Sequence, residues 1–334
     1  MSILDSMRGT NCIGRRELLA LGGGAFVVAA VPLAARRRPA PLVRRTMPVM
    51  GTIAELAVVE RDPRRAHAAL DAAMAELRRV ERTMTRFTAT SDVGRANALA
   101  AHRAVPVGAE TALVAAEALR WADATAGAYD PAVGGAIGLW DVTHRHEPPP
   151  EERVRRLAGR RLHRAVEVGA SAGSPALVYH DPDVSLDLGS IAKGYAVDRA
   201  VAVLRDAGID RALVDVGGDL YALGTAPDGE PWRIGIQDPN DSRALAGTLD
   251  IADAAAATSG TYLQFFRYRG TRFHHLLDPA TAAPRRTPTQ SLTIVADSCM
   301  HADVAATALF GVTPDEARRV LSLRAPGGYV ASSI

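Results

Sequence analysis

The order in which apolar periodicities change along this chain constrains its fold more than any other feature. After Pro63, residues Leu70, Met74, Leu77, Val80 and Met84 recur close to helical spacing. Gly108–Ala126 and Glu151–Leu157 also read as helices, and Thr46–Val59 reads as a strand. From Leu162 the pattern shortens, with strands expected at Ala165–Val168, Ala176–Tyr179 and Val184–Leu188. A helix over Ile191–Ala207 is closed by Gly208 as a C-cap. Strands follow at Ala212–Val216, Trp232–Ile236, Leu245–Ile251 and Ser291–Val295, with a hairpin over Leu263–Leu277 that turns at Arg269-Gly270. Helices near His301–Phe310 and Pro314–Leu323 complete the pattern. Strands and helices are mixed without regular βαβ alternation, which argues for an α+β fold. Val216-Gly217-Gly218-Asp219 follows a strand but lacks the G-x-G-x-x-G spacing and an opening helix, so a dinucleotide-binding βαβ unit is excluded.

Composition narrows the function classes. Of the 334 residues, 48% are hydrophobic and 23% charged, which rules out intrinsic disorder. A net charge of +2 offers no global basic excess for nucleic acid. Lys193 is the only lysine among 39 basic residues, so a flexible point charge stands where arginine is otherwise the rule. At the N-terminus, Arg15-Arg16 precedes a mildly apolar run, Leu18–Val31, that contains Gly22–Gly24 and is shorter than the span of about 20 residues a membrane helix needs. This reads as a Tat-type export signal over residues 1–35, with a linker over 36–45 and one domain over 46–334. The expected location is the periplasm or cell envelope, with membrane association only through the N-terminal segment if it stays uncleaved. Removal of the signal takes Cys12 with it and leaves Cys299 as a single thiol, so no intramolecular disulfide is expected.

Four segments carry candidate chemistry. In Asp187-Leu188-Gly189-Ser190-Ile191-Ala192-Lys193-Gly194-Tyr195 a strand ends in an acid and a Gly-Ser turn opens a helix. The free N–H groups of such a helix start suit phosphate, and Lys193 adds charge to the same place; the alternative is an ordinary junction capped by Ser190. Asp303 and Thr307 lie four apart on one helical face, a pair of hard oxygen donors suited to Mg²⁺ or, alternatively, to helix capping. His274-His275 precedes an Asp-Pro turn, and adjacent strand residues point to opposite faces, so one of the two can serve as acid or base. Tyr129-Asp130-Pro131, running on to Gly134-Gly135 and Trp140, can wall a pocket for a planar ring or form a packed loop.

Together and in this order the segments are far more specific than any one alone. With Met50-Gly51-Thr52, Met84-Thr85-Arg86-Phe87, Ser91-Asp92, Asn97, Val216-Gly217-Gly218-Asp219 and Thr258-Ser259-Gly260, the chain resembles the ApbE family of FAD:protein FMN transferases from about Met50 to about Gly311. The resemblance implies a T-fold-related, two-lobed α+β architecture with mixed or antiparallel sheets flanked by helices. It implies FAD as substrate, Mg²⁺ as cofactor, transfer of FMN through its phosphate to a threonine of an acceptor redox protein, and release of AMP. It places Ser190, Asp303 and Thr307 at the metal, Ser190 through its carbonyl. Met50, Phe87, Ala128, Tyr129, Asp130, Asp187, Lys193 and Leu277 are placed against FAD, and His275 beside the reacting phosphate as general base. An FAD pyrophosphatase is the second reading and a non-catalytic periplasmic flavin-binding protein the third. The chain departs from the family pattern at Ala280 and Ala282, where arginine and glycine are usual, at Thr261, where many members carry an acid, and at Ala306, where some do. Loss of the glycine removes a residue suited to positive φ.

Overall fold

A computed structural model describes residues 26–28 and 40–334; the rest of the expected export segment, including Arg15 and Arg16, lies outside the described residues. The fold is organised by a seven-stranded sheet, antiparallel throughout. Its order is Tyr329–Ser333, Ser291–Ala296, Ala254–Gly260, Asp219–Leu223, Ala212–Val216, Thr52–Val59, Leu42–Val49.

Successive side chains of these strands serve two different cores, as the two-residue period of a strand requires. Leu56, Val58, Val214, Val216, Ala255, Ala257 and Ile294 face a helical layer built from Pro63–Met84, Ala109–Ala124, Ala192–Asp206 and Cys299–Ala308. Ala57, Val59, Leu213, Leu220, Ala256 and Val295 face the other way, onto Trp232, Ile234, Ile236 and Ile251 of a smaller sheet. That sheet orders Phe26–Val28, Trp232–Gln237 and Leu245–Ile251, again antiparallel. A third cluster, Trp140, Val142 and Phe266, lies under the hairpin Phe265–Tyr268/Thr271–His274. Phe273 stacks there on both Trp140 and Phe266, with centroids 5.5 and 5.2 Å apart.

The long helix Pro63–Met84 forms where its pattern predicts. Asp62 accepts from the Arg64 N–H, Pro63 occupies the first turn, and Leu70, Met74, Leu77, Val80 and Met84 are all buried. Each such burial stabilises by about 1.5–3 kcal/mol. Three expectations need correction. Thr46–Val59 is not one strand: Leu42–Val49 and Thr52–Val59 form a hairpin around Met50 and Gly51, both at positive φ (52° and 70°), as a tight two-residue turn demands. That hairpin begins at Leu42, inside the segment expected as linker. Val184–Leu188 is extended but joins no sheet; its only ladder contact is an isolated bridge from Ser185 to Val133. Its backbone groups bond instead to the Asn97 side chain, which accepts from Leu186 N–H (2.7 Å) and donates to Leu186 O (2.9 Å). Further bonds run to Pro131 and Ala132 carbonyls. A side chain has replaced a neighbouring strand, and Asp187 is thereby delivered to the start of the next helix.

Candidate functional site

The helices Ala192–Asp206 and Cys299–Ala308 meet at Gly194. A Cβ there would lie 2.2 Å from Cys299 O and 2.8 Å from Asp303 Cβ, so only glycine permits this approach. The contact lets each helix satisfy the first turn of the other. Asp303 accepts the Gly194 N–H through Oδ2 at 2.9 Å. Asp198 accepts the Cys299 and Met300 N–H groups at 2.8 and 2.9 Å. These N–H groups have no partner within their own helix.

Lys193, one residue before the contact, donates to Asp219 and lies 3.4 Å from Asp303 Oδ1. Both acids are buried. Burial works against the ammonium charge, but Asp219 and Asp303 outweigh it and hold the Lys193 pKa above its ordinary range. Two carboxylates share one ammonium, so burial and mutual repulsion raise the proton affinity of the acid pair. Asp219 follows the turn in which Asp215 accepts the Gly218 N–H at 2.8 Å, and burial pushes Asp215 up to about 7.

Around this cluster the structure gathers most of the expected residues. The Tyr129 hydroxyl bonds to Ser190 Oγ at 2.9 Å. Its pKa is raised by burial and then by the charges of Asp303, Asp187 and Asp130. Ser190 therefore does not cap the helix, which begins at Ala192 without a side-chain cap. Asp303 is not a cap of its own helix either, since Ser298 fills that role through the His301 N–H. Thr307 Oγ1 contacts Ser259 Oγ at 3.2 Å. Asp187 accepts the Gly189 N–H at 2.7 Å and pairs with Arg86 Nε at 2.6 Å. Arg86 also lies 4.4 Å over the Phe87 ring, whose 80% exposure leaves an aromatic surface facing solvent beside the site.

His274 and His275 do point apart. The His274 Nε2 meets Arg285 O at 3.0 Å inside the protein, whereas His275 is only partly covered and sets Nδ1 3.4 Å from Gln264 O. Burial lowers the His275 pKa to about 4, and Lys193 contributes to the lowering, which ties this ring to the ammonium cluster. An Nδ1–H aimed at Gln264 O leaves Nε2 as the basic nitrogen.

Four further expected residues are engaged in holding the fold around the site. The Asp130 carboxylate is enclosed: it accepts from Ala132 N–H (2.8 Å), His163 N–H (3.1 Å) and His163 Nδ1 (2.9 Å), so it holds the Tyr129 loop in shape. Met50 lies in the hairpin turn with its N–H held by Glu81 at 2.6 Å. Leu277 packs against the aromatic cluster, and the Ala128 carbonyl accepts from Arg285. Ala282 keeps φ at +51° despite carrying a side chain, and its carbonyl accepts the Trp140 indole N–H at 2.7 Å. The strain of about 1–2 kcal/mol in this region of φ is held in place by that bond.

Sequence reasoning did not assign Asp219, Arg86, Asp198, Ser259 or Arg285. Asp219, Arg86 and Ser259 stood inside the segments that carry the family resemblance, and the signal that could have found Asp219 was the need of a buried lysine for a counter-charge. As a metal site the donors are hard oxygens: Asp303, Thr307 and Ser190. Among the described residues no three His, Cys, Asp or Glu side chains assemble to hold an ion. This set fits a cation such as Mg²⁺ that completes its shell with water and phosphate oxygens. Asp303 Oδ1, carrying only the long contact to Lys193, is the oxygen available to it.

Fold and site together define an α+β protein built on an antiparallel sheet, with an acid–ammonium–hydroxyl centre at the junction of two helices. The ApbE family profile matches residues 50–330. An FAD:protein FMN transferase of Vibrio cholerae is 32% identical over 282 residues, covering 83% of this chain and 83% of the relative. One of Treponema pallidum is 32% identical over 278 residues, covering 78% and 76%. The solved flavin transferase ApbE from Vibrio cholerae superposes with a TM-score of 0.74 at 29% identity, covering 85% of this chain and 91% of that one. The ApbE protein from Thermotoga maritima gives 0.77 at 27% identity, covering 88% and 97%. The chain belongs to the ApbE family.

Proposed function

We propose that this protein transfers FMN from FAD to a threonine hydroxyl of an acceptor protein and releases AMP. The observation that carries the proposal is the Lys193 ammonium between Asp219 and Asp303 at a helix start, within a chain whose relatives are FAD:protein FMN transferases. In the reaction, the acceptor Oγ forms a bond to the FMN phosphorus and the P–O bond to AMP breaks. The acceptor proton passes to His275, and AMP leaves with the bridging oxygen. Lys193 places positive charge beside the pyrophosphate, and the exposed Phe87 ring offers a stacking face to the flavin. His275 is neutral at pH 7 because burial lowers its pKa to about 4, so it is in its base form before the acceptor arrives. General base catalysis typically contributes about 10²–10⁴-fold. Asp303 and Thr307, with the Ser190 carbonyl, would hold Mg²⁺, which neutralises pyrophosphate charge and stabilises the departing phosphate. Export through the Arg15-Arg16 segment belongs to the same proposal, and an Arg15→Lys, Arg16→Lys double variant retained in the cytoplasm would support it.

The test incubates the full chain with FAD, Mg²⁺ and a threonine-bearing acceptor domain. AMP release and covalent flavin fluorescence are then read on a denaturing gel. AMP matched by flavin on the acceptor is the expected result. AMP with free FMN and no labelled protein would point to hydrolysis, and bound FAD without AMP under any divalent metal would overturn catalysis.

A further inference from the structure

Arg285 was one of many arginines in the sequence, and its place in the fold sets it apart. It follows the short hairpin Leu277–Asp278/Ala283–Pro284, and its main chain continues that pairing with an N–H donated to Leu276 O at 2.8 Å. Its carbonyl lies 3.0 Å from His274 Nε2. The two residues that flank His275 are thus both tied to Arg285. Its side chain goes elsewhere: Nη1 donates to Phe310 O and Nη2 to Ala128 O. Phe310 lies three residues beyond Thr307, and Ala128 immediately precedes Tyr129, whose hydroxyl meets Ser190.

A guanidinium is a rigid planar fork, and here its prongs end on two main-chain carbonyls from segments far apart in sequence. The charge of Asp278 acts on it, but its side-chain bonds go to these carbonyls. The burial that disfavours its charge is therefore accepted in order to join three segments: the loop carrying Tyr129, the strand end carrying His275, and the end of the helix carrying Asp303 and Thr307. We propose that Arg285 is a positioning residue that clasps these three walls of the site and sets the reach from His275 to the phosphate-bearing centre. This rests on the transfer reading above. Small displacements of a reacting group cost rate far more than binding, so the clasp acts on turnover.

The test compares Arg285→Met, which keeps bulk and removes the donors, with Arg285→Lys, which keeps the charge on a shorter side chain and loses the planar fork. Amide hydrogen exchange and steady-state kinetics are measured on the full chain. In Arg285→Met, exchange is expected to rise together at residues 127–130, 274–277 and 309–312, and kcat for flavin transfer to fall about 10²-fold with only a small change in the KM for FAD. Arg285→Lys should fall between the two, and it carries the test if the methionine variant does not fold. Exchange that rises only beside residue 285, or rises at all three segments without loss of kcat, would overturn the proposal. A wild-type chain that releases no AMP and labels no acceptor would instead refute the transfer reading, and the exchange pattern would then decide the clasp by itself.

Discussion

The two helix starts that meet at Gly194 use the same device to different ends. Each receives a carboxylate from the opposite helix. Asp198 accepts two N–H groups, from Cys299 and Met300, and both of its oxygens are engaged. Asp303 accepts one, from Gly194, and turns its second oxygen toward Lys193 at 3.4 Å. The difference lies in the neighbouring residues. Lys193 and Asp219 stand beside Asp303, whereas burial dominates at Asp198 and raises its pKa to about 6. An acid that caps a helix with both oxygens fixes structure. An acid that caps with one oxygen fixes structure and leaves the other oxygen for a second partner.

The comparison breaks if the two acids prove interchangeable. Asp303→Ala is expected to lower Mg²⁺-dependent AMP release by about 10³-fold, the loss typical when a charge-stabilising group is removed from a transition state. Stability should change by less than activity, because one N–H loses its partner. Release of AMP at the wild-type rate at low Mg²⁺ would remove Asp303 from the metal. His275→Ala should come next, at about 10²–10⁴-fold in turnover, with FAD still binding, as judged by quenching of flavin fluorescence. Unchanged turnover would take His275 out of the mechanism. Gly194→Ala sharpens the comparison from the packing side. Its Cβ would press on Cys299 O and force both helix starts apart. A loss of about 1–3 kcal/mol in denaturant unfolding is expected, with reduced turnover because Asp303 moves. Wild-type stability would mean the close approach is not required.

What could be seen in the sequence divides along physical lines. The Asp303–Thr307 pair was legible because helical spacing alone puts i and i+4 on one face. Lys193 was legible because it broke a compositional rule. Asp219 could be quoted in a motif but not given a role, since its partnership with Lys193 exists only once a strand and a helix 26 residues apart are folded together. Val184–Leu188 has a strand's composition, but the groups that would pair in a sheet are taken by the Asn97 side chain at Leu186 and by the main chain of the Tyr129 loop at Ser185 and Asp187, and no local pattern announces that. Ala254–Gly260 escaped notice because alanine is a poor strand former. It is a strand here because it lies between Asp219–Leu223 and Ser291–Ala296, with both faces buried. Arg285 was hidden by the abundance of arginine, the same abundance that made a lone lysine visible.

The smallest effect on turnover tests the other half of the comparison, that Asp198 is structural. Its folded pKa of about 6 lies above the ordinary aspartate value of 3.8, mainly through burial, so the folded protein holds this proton to higher pH than the unfolded chain does. Stability from this group is therefore complete below about pH 4 and is lost as pH rises through about 6. Two pH units correspond to about 3 kcal/mol at about 1.4 kcal/mol per unit. Asp198→Asn cannot titrate, and its amide oxygen can still accept an N–H. The stability gap between wild type and Asp198→Asn, followed by urea unfolding from pH 4 to pH 7, should shift by about 3 kcal/mol in favour of the asparagine variant as pH rises. Flavin transfer per folded molecule at pH 7 should stay within a few-fold of wild type. A gap that does not move with pH would mean that Asp198 is ionised throughout. A large loss of transfer with stability intact would mean that both acids, and not Asp303 alone, reach the chemistry.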